Sequence, residues 1–325
     1  MPKDILWVDH LIKYFFTKQG TVRAVDNVSF SIKEGETFGL VGESGSGKTT
    51  VAHTLVGIYR PTGGQAFFRG QSIGEDYSKR SKTLKKEIRI VFQDPGSSLN
   101  PRWSIKQILE LPLKVHCLTD NKHRIGRIVE LLKMVELPPN EYLYKYPSGI
   151  GGGEKQMVAL ARALATDPSF IALDEPTSAL DVSIQAKIIN LLMRLQRKLN
   201  LTYLFITHDL SLMRNMASRV AIMYLGKICE VAPTKEFFQK PLHPYTRMLL
   251  SSIPVVSDEE EGLIPKRVIS RGEIPSPVNI PPGCSFHLRC PEKMEICTRV
   301  DPVMVEAEEN HLVRCQLFLA TNRTK

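Results

Sequence analysis

The stretch "TFGLVGESGSGKTT", Thr37 to Thr50, decides how the rest of the chain is read. Its first half is an apolar run around Phe38 to Val41 that reads as a buried strand, and its second half fits G-x-x-x-x-G-K-[ST], followed by helical spacing. A strand that runs into a glycine loop and then a helix is a phosphate cradle. The backbone N–H groups of Gly42, Glu43, Ser44, Gly45, Ser46 and Gly47 wrap phosphates, and the helix beginning through Thr49 and Thr50 adds positive potential. Lys48 then reaches the β- and γ-phosphates, and the Thr49 hydroxyl is placed to ligate Mg²⁺.

Working outward, "VRAVDNVSFSIKEG" shows β-branched and aromatic alternation that ends in a turn at Glu34-Gly35. Downstream, "FIALDE" is a second buried strand, "TYLFITHD" a third and "RVAIMYLGKI" a fourth. "SIQAKIINLLMRLQRKL" is helical. Strands alternating with helices predict an α/β fold with a mostly parallel sheet, which together with the phosphate loop resembles the RecA-like core of P-loop NTPases. The segment from about 94 to 165 is largely helical and lies between the first and second of these strands, which predicts an inserted helical subdomain. After "PLHPYTRMLLSSIP" comes the acidic "SDEEEG" and then a Pro-rich, Cys-bearing tail, so a boundary is expected near Ser257. The division is a nucleotide-binding domain over 1–256 and a small extension over 257–325. The strand "FIALDE" delivers Asp174 to the metal side of the phosphate site and Glu175 to the place of an attacking water.

At 325 residues and 42% hydrophobic content the chain can bury a sizeable core. No stretch reaches the roughly 18 consecutive apolar residues of a membrane span, and the charged start "MPKDILWVDH" lacks the apolar run of a signal peptide, so the chain reads as cytosolic. The net charge of +9 comes from scattered Lys and Arg without an aromatic-basic stripe; a nucleic-acid partner is not expected. Cys117 and Cys229 lie in ordinary helix- or strand-like contexts and read as buried, inert thiols.

Taken together, these motifs resemble the nucleotide-binding subunits of ATP-binding cassette transporters. "DEPTSALD" continues from the two carboxylates into the family's D-loop, Ser178 to Asp181. "VFQDP" carries Gln93 at the Q-loop position, which also contacts the metal, and "FITHD" carries His208 at that of the switch histidine. The resemblance implies ATP and Mg²⁺ as ligands, with Mg²⁺ held by Thr49, Gln93 and Asp174. It casts Lys48, Gln93, Glu175 and His208 as the catalytic group. The family's adenine-stacking aromatic precedes the first strands, so Tyr14 or Phe15 of "IKYFF" is the candidate, with core packing as the alternative for each.

The resemblance also gives a place to "SGIGGGEKQ", Ser148 to Gln156. Its glycines and the helix behind them form a second phosphate cradle, at the position of the family's L-S-G-G-Q signature, which meets ATP held by a partner subunit. Gly151, Gly152, Gly153 and Glu154 therefore count as nucleotide contacts. The loop departs from the family in three places: Gly151 lacks the serine hydroxyl, Glu154 replaces an amide with a carboxylate, and Met157 stands where arginine is usual. This half-site is expected to be weakened.

From about Leu6 to Phe318 the chain resembles the oligopeptide and dipeptide importer branch, with "YLFITHDLS" and "IMYLGKI" closer to its F-type than its D-type ATPase subunit. The implied assembly pairs this chain with a D-type ATPase under two transmembrane permease subunits, served by an extracellular binding protein. The chain would lie peripherally on the cytoplasmic face of the cell membrane. Nickel and oligosaccharide importers share the branch, and a soluble cassette ATPase acting on ribosomes or nucleic acid is the rival from another class. Cys284, Cys290, Cys297 and Cys315 follow the spacing C-x5-C-x6-C-x17-C, which matches neither zinc-finger nor bacterial ferredoxin pairs. So small an appendage would gain folding energy from metal, and the resemblance favours a 4Fe-4S cluster over zinc; unligated thiols are the remaining reading.

Overall fold

Two long strands with alternating burial open the chain, β1 (Asp4–Thr17) and β2 (Gly20–Lys33). Ile5, Leu6, Val8 and Leu11 of β1 are buried, as are Val25, Val28 and Ile32 of β2. In this computed structural model residues 4–120, 122–253 and 272–319 are described, and the boundary expected near Ser257 lies outside them. The chain divides into two compact units, one made of Lys33–Glu36 and Glu75–Ile206, the other of Asp4–Ile32, Thr37–Gly74 and the residues from Thr207 on.

The second of these units holds the phosphate loop. Strand β3 (Thr37–Val41) is buried throughout and leads through the loop into α1 (Lys48–Val56). After α1 come β4 (Gly63–Phe68) and β5 (Gln71–Ser72), which complete a four-stranded sheet in the order β2-β1-β4-β5.

The other unit begins with α2 (Lys82–Glu87) and β6 (Ile88–Val91). The segment expected to be helical contains α3 (Pro95–Ser98), α4 (Ile105–Val115), α5 (Arg124–Met134), α6 (Pro139–Tyr142) and α7 (Gly152–Leu164). Each longer helix buries one stripe: Ile105, Ile108 and Leu109 of α4, Leu131 and Leu132 of α5, Val158 and Ala161 of α7. Then follow β7 (Phe170–Asp174), α8 (Val182–Leu199) and β8 (Thr202–Thr207). β6, β7 and β8 run parallel with β7 in the middle, every residue of β7 is buried, and Ala172 pairs with both Ile90 and Leu204. Asp174 therefore leaves the sheet at the carboxyl end of a buried strand, where open α/β sheets bind ligands.

The chain returns to the unit that holds the phosphate loop with α9 (Leu210–Met216), β9 (Arg219–Tyr224) and β10 (Lys227–Pro233). Here the sequence expectation needs correction. "RVAIMYLGKI" is two antiparallel strands, with Tyr224 opposite Lys227 and a two-residue turn whose Leu225 and Gly226 both have positive φ, 42° and 82°. β9 also pairs in parallel with β3. Next are α10 (Thr234–Gln239) and α11 (Pro244–Ser251), then β11 (Val305–Glu308), β12 (His311–Val313) and α12 (Gln316–Leu319). β12 joins β10 antiparallel, so the tail extends this unit's sheet. No helix among the described residues is long and apolar enough to cross a membrane.

Candidate nucleotide site

Glycine is required at two places in the phosphate loop by close backbone approach. A Cβ on Gly42 would lie 2.2 Å from the Met223 carbonyl oxygen, and one on Gly47 2.0 Å from that of Ala24. Gly47 also takes a φ of 107° as it enters α1, and no side chain caps that helix. The Lys48 side chain is buried, and its ammonium donates to the carbonyls of Gly42 (2.7 Å) and Glu43 (3.0 Å) and to the Ser46 hydroxyl (3.4 Å). It is thereby held across the loop. Ser44 and Gly45 form the exposed rim, while Thr49 and Thr50 are half-buried in the first turn of α1. Glu43 differs from the sequence expectation: its N–H donates to the Tyr245 hydroxyl oxygen at 3.2 Å, so that amide is already committed.

In the other unit, Asp174 is 2% exposed and Glu175 follows it with a φ of 44°. The Glu175 N–H donates to Ile206 O at 3.0 Å, which fixes this turn to β8. Gln93, just past β6, donates its amide N–H to Glu175 Oε2 at 3.0 Å, so two residues 82 positions apart meet. Ser178 donates its hydroxyl to the Glu175 carbonyl, 3.2 Å away. Asp181 serves as the N-cap of α8, accepting from Ile184 N–H (3.0 Å) and the Ser183 hydroxyl (2.7 Å), and these bonds hold its carboxyl below the ordinary range. Its contact with nucleotide remains an expectation from sequence. His208 is exposed just beyond β8, before Asp209 caps α9.

The second glycine loop is stapled shut on itself. Glu154 Oε2 accepts the Gly151 N–H at 2.7 Å and Oε1 accepts the Tyr142 hydroxyl. This is one arm of a capping box, since glycine at the N-cap has no side chain to complete the other, and the carboxylate sits where the positive end of α7 favours it. The Tyr142 hydroxyl first, and the Gly151 N–H second, hold the Glu154 carboxyl below its ordinary range, while Tyr142 is pushed up to about 12 by the same bond. Gly153 has no room for a side chain, since a Cβ would lie 2.5 Å from Ile184 Cγ2, whereas Gly151 has its nearest neighbour at 3.6 Å. Met157 and Gln156 are both buried. Gln156 lines a cavity of about 140 Å³ with Gln93, Lys155 and Leu180.

The tail's four cysteines are free thiols, as are Cys117 and Cys229. Cys297 and Cys315 are buried, and Cys284 donates its N–H to Cys297 O at 2.9 Å. Burial pushes Cys290 up to about 11 and Cys315 up to about 12, and both feel the charge of the neighbouring tail cysteines. The donor chemistry suits a soft metal site. Among the described residues no group of three or more His, Cys, Asp or Glu is placed to hold a metal ion. Cys229 is buried as expected; Cys117 is exposed, because its φ of 52° turns it out past the end of α4.

Residues 25–178 match the ABC transporter family, and residues 229–297 match the C-terminal region of oligopeptide/dipeptide transporters. The oligopeptide transport ATP-binding protein AppF of Bacillus subtilis is 47% identical over 306 residues, 94% of this chain and 92% of that protein. The chain belongs to the ATP-binding subunits of ABC transporters. A putative peptide import ATP-binding protein of Brucella ovis is 42% identical over 311 residues, 96% of this chain and 97% of that one. Among solved structures, the ADP- and Pi-bound dimer of the ATP-binding cassette MJ0796 matches with a TM-score of 0.63, at 30% identity over 70% of this chain and 98% of that one. CbiO1 from Clostridium perfringens, part of the transporter complex cbiONQ, matches with a TM-score of 0.64 at 30% identity, over 73% of this chain and 92% of its own.

As an ABC transporter ATPase, the chain binds and hydrolyses ATP. Tyr14 gives its hydroxyl to Asp26 Oδ1 at 2.5 Å, and burial, then that bond, pushes it up to about 12. Phe15 packs edge-on against Tyr59 with the Lys13 ammonium 4.9 Å from its ring centre. Sequence reasoning missed Tyr142, Tyr245 and Arg289. Glu154 carried a readable signal, a carboxylate three residues after the N-cap, but nothing in the sequence joins Arg289 to Glu43.

Proposed function

We propose that this chain powers the import of oligopeptides or dipeptides, as the F-type ATPase subunit paired with a D-type subunit beneath two permease subunits. It sits peripherally at the cytoplasmic face of the membrane and receives substrate through an extracellular binding protein. One observation carries the reading: similarity to an oligopeptide transport ATP-binding protein runs through both the cassette and the Cys-bearing tail, over 94% of the chain. Co-purification from membranes with its permeases, and ATPase activity that rises when peptide-loaded binding protein is added, is the expected result. A chain that purifies without permeases, or an ATPase indifferent to loaded binding protein, overturns it.

Within that reading Lys48 neutralises the β- and γ-phosphates. Glu175 orients the attacking water and takes its proton as the γ-phosphorus bond to the leaving ADP oxygen breaks, and Gln93 holds the Glu175 carboxylate in place. His208 keeps the γ-phosphate aligned. Tyr14 or Phe15 stacks on adenine; both rings are half-buried. Thr49, Gln93 and Asp174 offer the hard oxygen donors that Mg²⁺ takes; the ion supplies charge neutralisation of the phosphates.

The four tail thiols are the soft donors a 4Fe-4S cluster takes, and Cys290 and Cys315 each feel the charge of Cys284 and Cys297. Anaerobically purified protein is expected to be brown, with about four iron and four sulfide per chain. Stoichiometric zinc and no visible absorbance rejects the cluster.

A further inference from the structure

The phosphate loop contains a carboxylate of its own, and its charge opposes the anion the loop exists to bind. Glu43, the second residue of "GESGSGKTT", meets Arg289 from the tail. Nη1 donates to Oε2 at 2.8 Å and Nη2 to Oε1 at 3.0 Å, a two-pronged grip. The pair is sheltered, with 9% of the arginine side chain and 24% of the glutamate exposed. The Tyr245 hydroxyl, from the first turn of α11, donates to Glu43 Oε2 at 3.1 Å and accepts the Glu43 N–H. Arg289 in turn lies over the rings of Tyr224 (5.7 Å) and Phe286 (5.9 Å), and Tyr245 packs against both rings.

Left without its arginine, the carboxylate would stand beside the phosphates, and it would compete with them for the Lys48 ammonium that already touches Glu43's own carbonyl. Coulomb's law makes such a charge expensive at a sheltered site. Arg289 is also the residue before Cys290, so the group that cancels the charge belongs to the Cys-bearing tail. We propose that Arg289 is a positioning residue for ATP binding: by neutralising and fixing Glu43 it sets the affinity of the phosphate loop, which makes the C-terminal tail a determinant of nucleotide binding.

A rival account treats the ion pair as an anchor that merely holds the tail to the domain. The two separate in a double-variant experiment on the full chain in its transporter complex, titrating a fluorescent ATP analogue with Mg²⁺ and measuring KM and kcat for ATP. R289Q removes the charge and leaves a shorter, neutral polar side chain. It is expected to weaken ATP binding by roughly ten- to a hundredfold, raising KM far more than it lowers kcat. R289K, with charge but no fork, falls between R289Q and the native chain. Adding E43Q to R289Q removes the stranded negative charge and restores affinity to within about threefold of native. A lost anchor would not be repaired by E43Q, so a double variant as weak as R289Q overturns the proposal, as does an R289Q chain that binds ATP like the native one. Should R289Q fail to accumulate, E43Q alone decides: binding at least as tight as native supports the proposal, and binding about tenfold weaker overturns it.

Discussion

The two glycine loops of this chain are built from similar residues and end in opposite electrostatic states. Both precede a helix, and both carry a glutamate. At the phosphate loop no acidic residue stands in the first turn of α1, Lys48 adds a cation, and Glu43 is gripped by Arg289. At the second loop Glu154 stands in the first turn of α7 and takes the Gly151 N–H for itself, with Tyr142 holding its other oxygen. Glycine content alone therefore does not make an anion site. What matters is whether the amides and the helix N-terminus are already satisfied by an anion of the chain's own.

The largest expected effects test the open loop. Lys48→Ala removes the only side-chain cation that the loop itself contributes, and productive ATP binding in the assembled transporter should be lost. Glu175→Gln should bind ATP normally but lower phosphate release by roughly 10²–10⁴-fold, because the group acting on water is gone while the phosphate contacts remain. Nucleotide occupancy and phosphate release, measured on both variants, separate the two roles. Normal turnover by Glu175→Gln would show that another group handles the water.

A smaller effect concerns what braces the open loop from behind. Tyr245 is placed by His243, whose Nδ1 accepts the Tyr245 N–H at 3.0 Å and so must be unprotonated at that nitrogen. Glu230 is fully buried and pins the same turn, accepting from the N–H groups of Leu242 and His243, each at 2.8 Å, and bonding His311 Nε2 at 2.6 Å. Burial lowers His243 from 6.5 to about 4. A folded-state value below the unfolded one means that the unfolded chain binds the extra proton more readily, so stability is full above pH 6.5 and falls as pH drops toward about 4. Acid titration followed by near-UV circular dichroism should show this loss in the native chain, and His243→Asn, which keeps an acceptor without titrating there, should flatten it. An unchanged profile in the variant assigns the acid sensitivity to other groups.

Much of this contrast was legible in the sequence, and the reasons are physical. The phosphate loop was readable because close backbone approach at Gly42 and Gly47 and phosphate charge at Lys48 dictate residue type and spacing together. The strand ending at Asp174 was readable because it is buried on both faces and so continuously apolar up to that residue. The hairpin at Leu225-Gly226 was hidden for the same reason: both of its strands are mostly buried, and the apolar run from Val220 carries on into the turn at Leu225. Glu154's cap lay in plain view three residues after Gly151, whereas Tyr142 reaches it through the packing of a different helix. The brace on Glu43 joins residues 246 positions apart, and such a contact leaves no local pattern.

The smallest effect, and the sharpest test of the comparison, is to unlock the second loop. In the head-to-tail pair of cassettes that the proposed function implies, ATP bound at Lys48 would face the partner's signature loop, and ATP bound by the partner would face Gly151 and Glu154. A signature loop whose first amide is occupied by its own carboxylate should leave the partner's ATP slowly hydrolysed, provided the partner's loop is intact. Gly151 sits at φ −72° and ψ 170°, a conformation open to any residue, and a Cβ there meets nothing closer than 3.6 Å, so serine fits without strain. Glu154→Gln keeps a side-chain acceptor for the helix start and removes the negative charge, so its cost in stability should stay within about 1 kcal/mol. Gly151→Ser with Glu154→Gln is then expected to speed hydrolysis of the partner's ATP by roughly tenfold, the scale of one regained hydrogen bond to a charged group. Hydrolysis at Lys48 should hardly change. Single-turnover assays with Lys48, or the partner's equivalent lysine, removed in turn read the two sites separately. Equal rates at both sites in the native pair would mean that the self-capped loop still serves its neighbour, and the contrast between the two loops would then be structural without being catalytic.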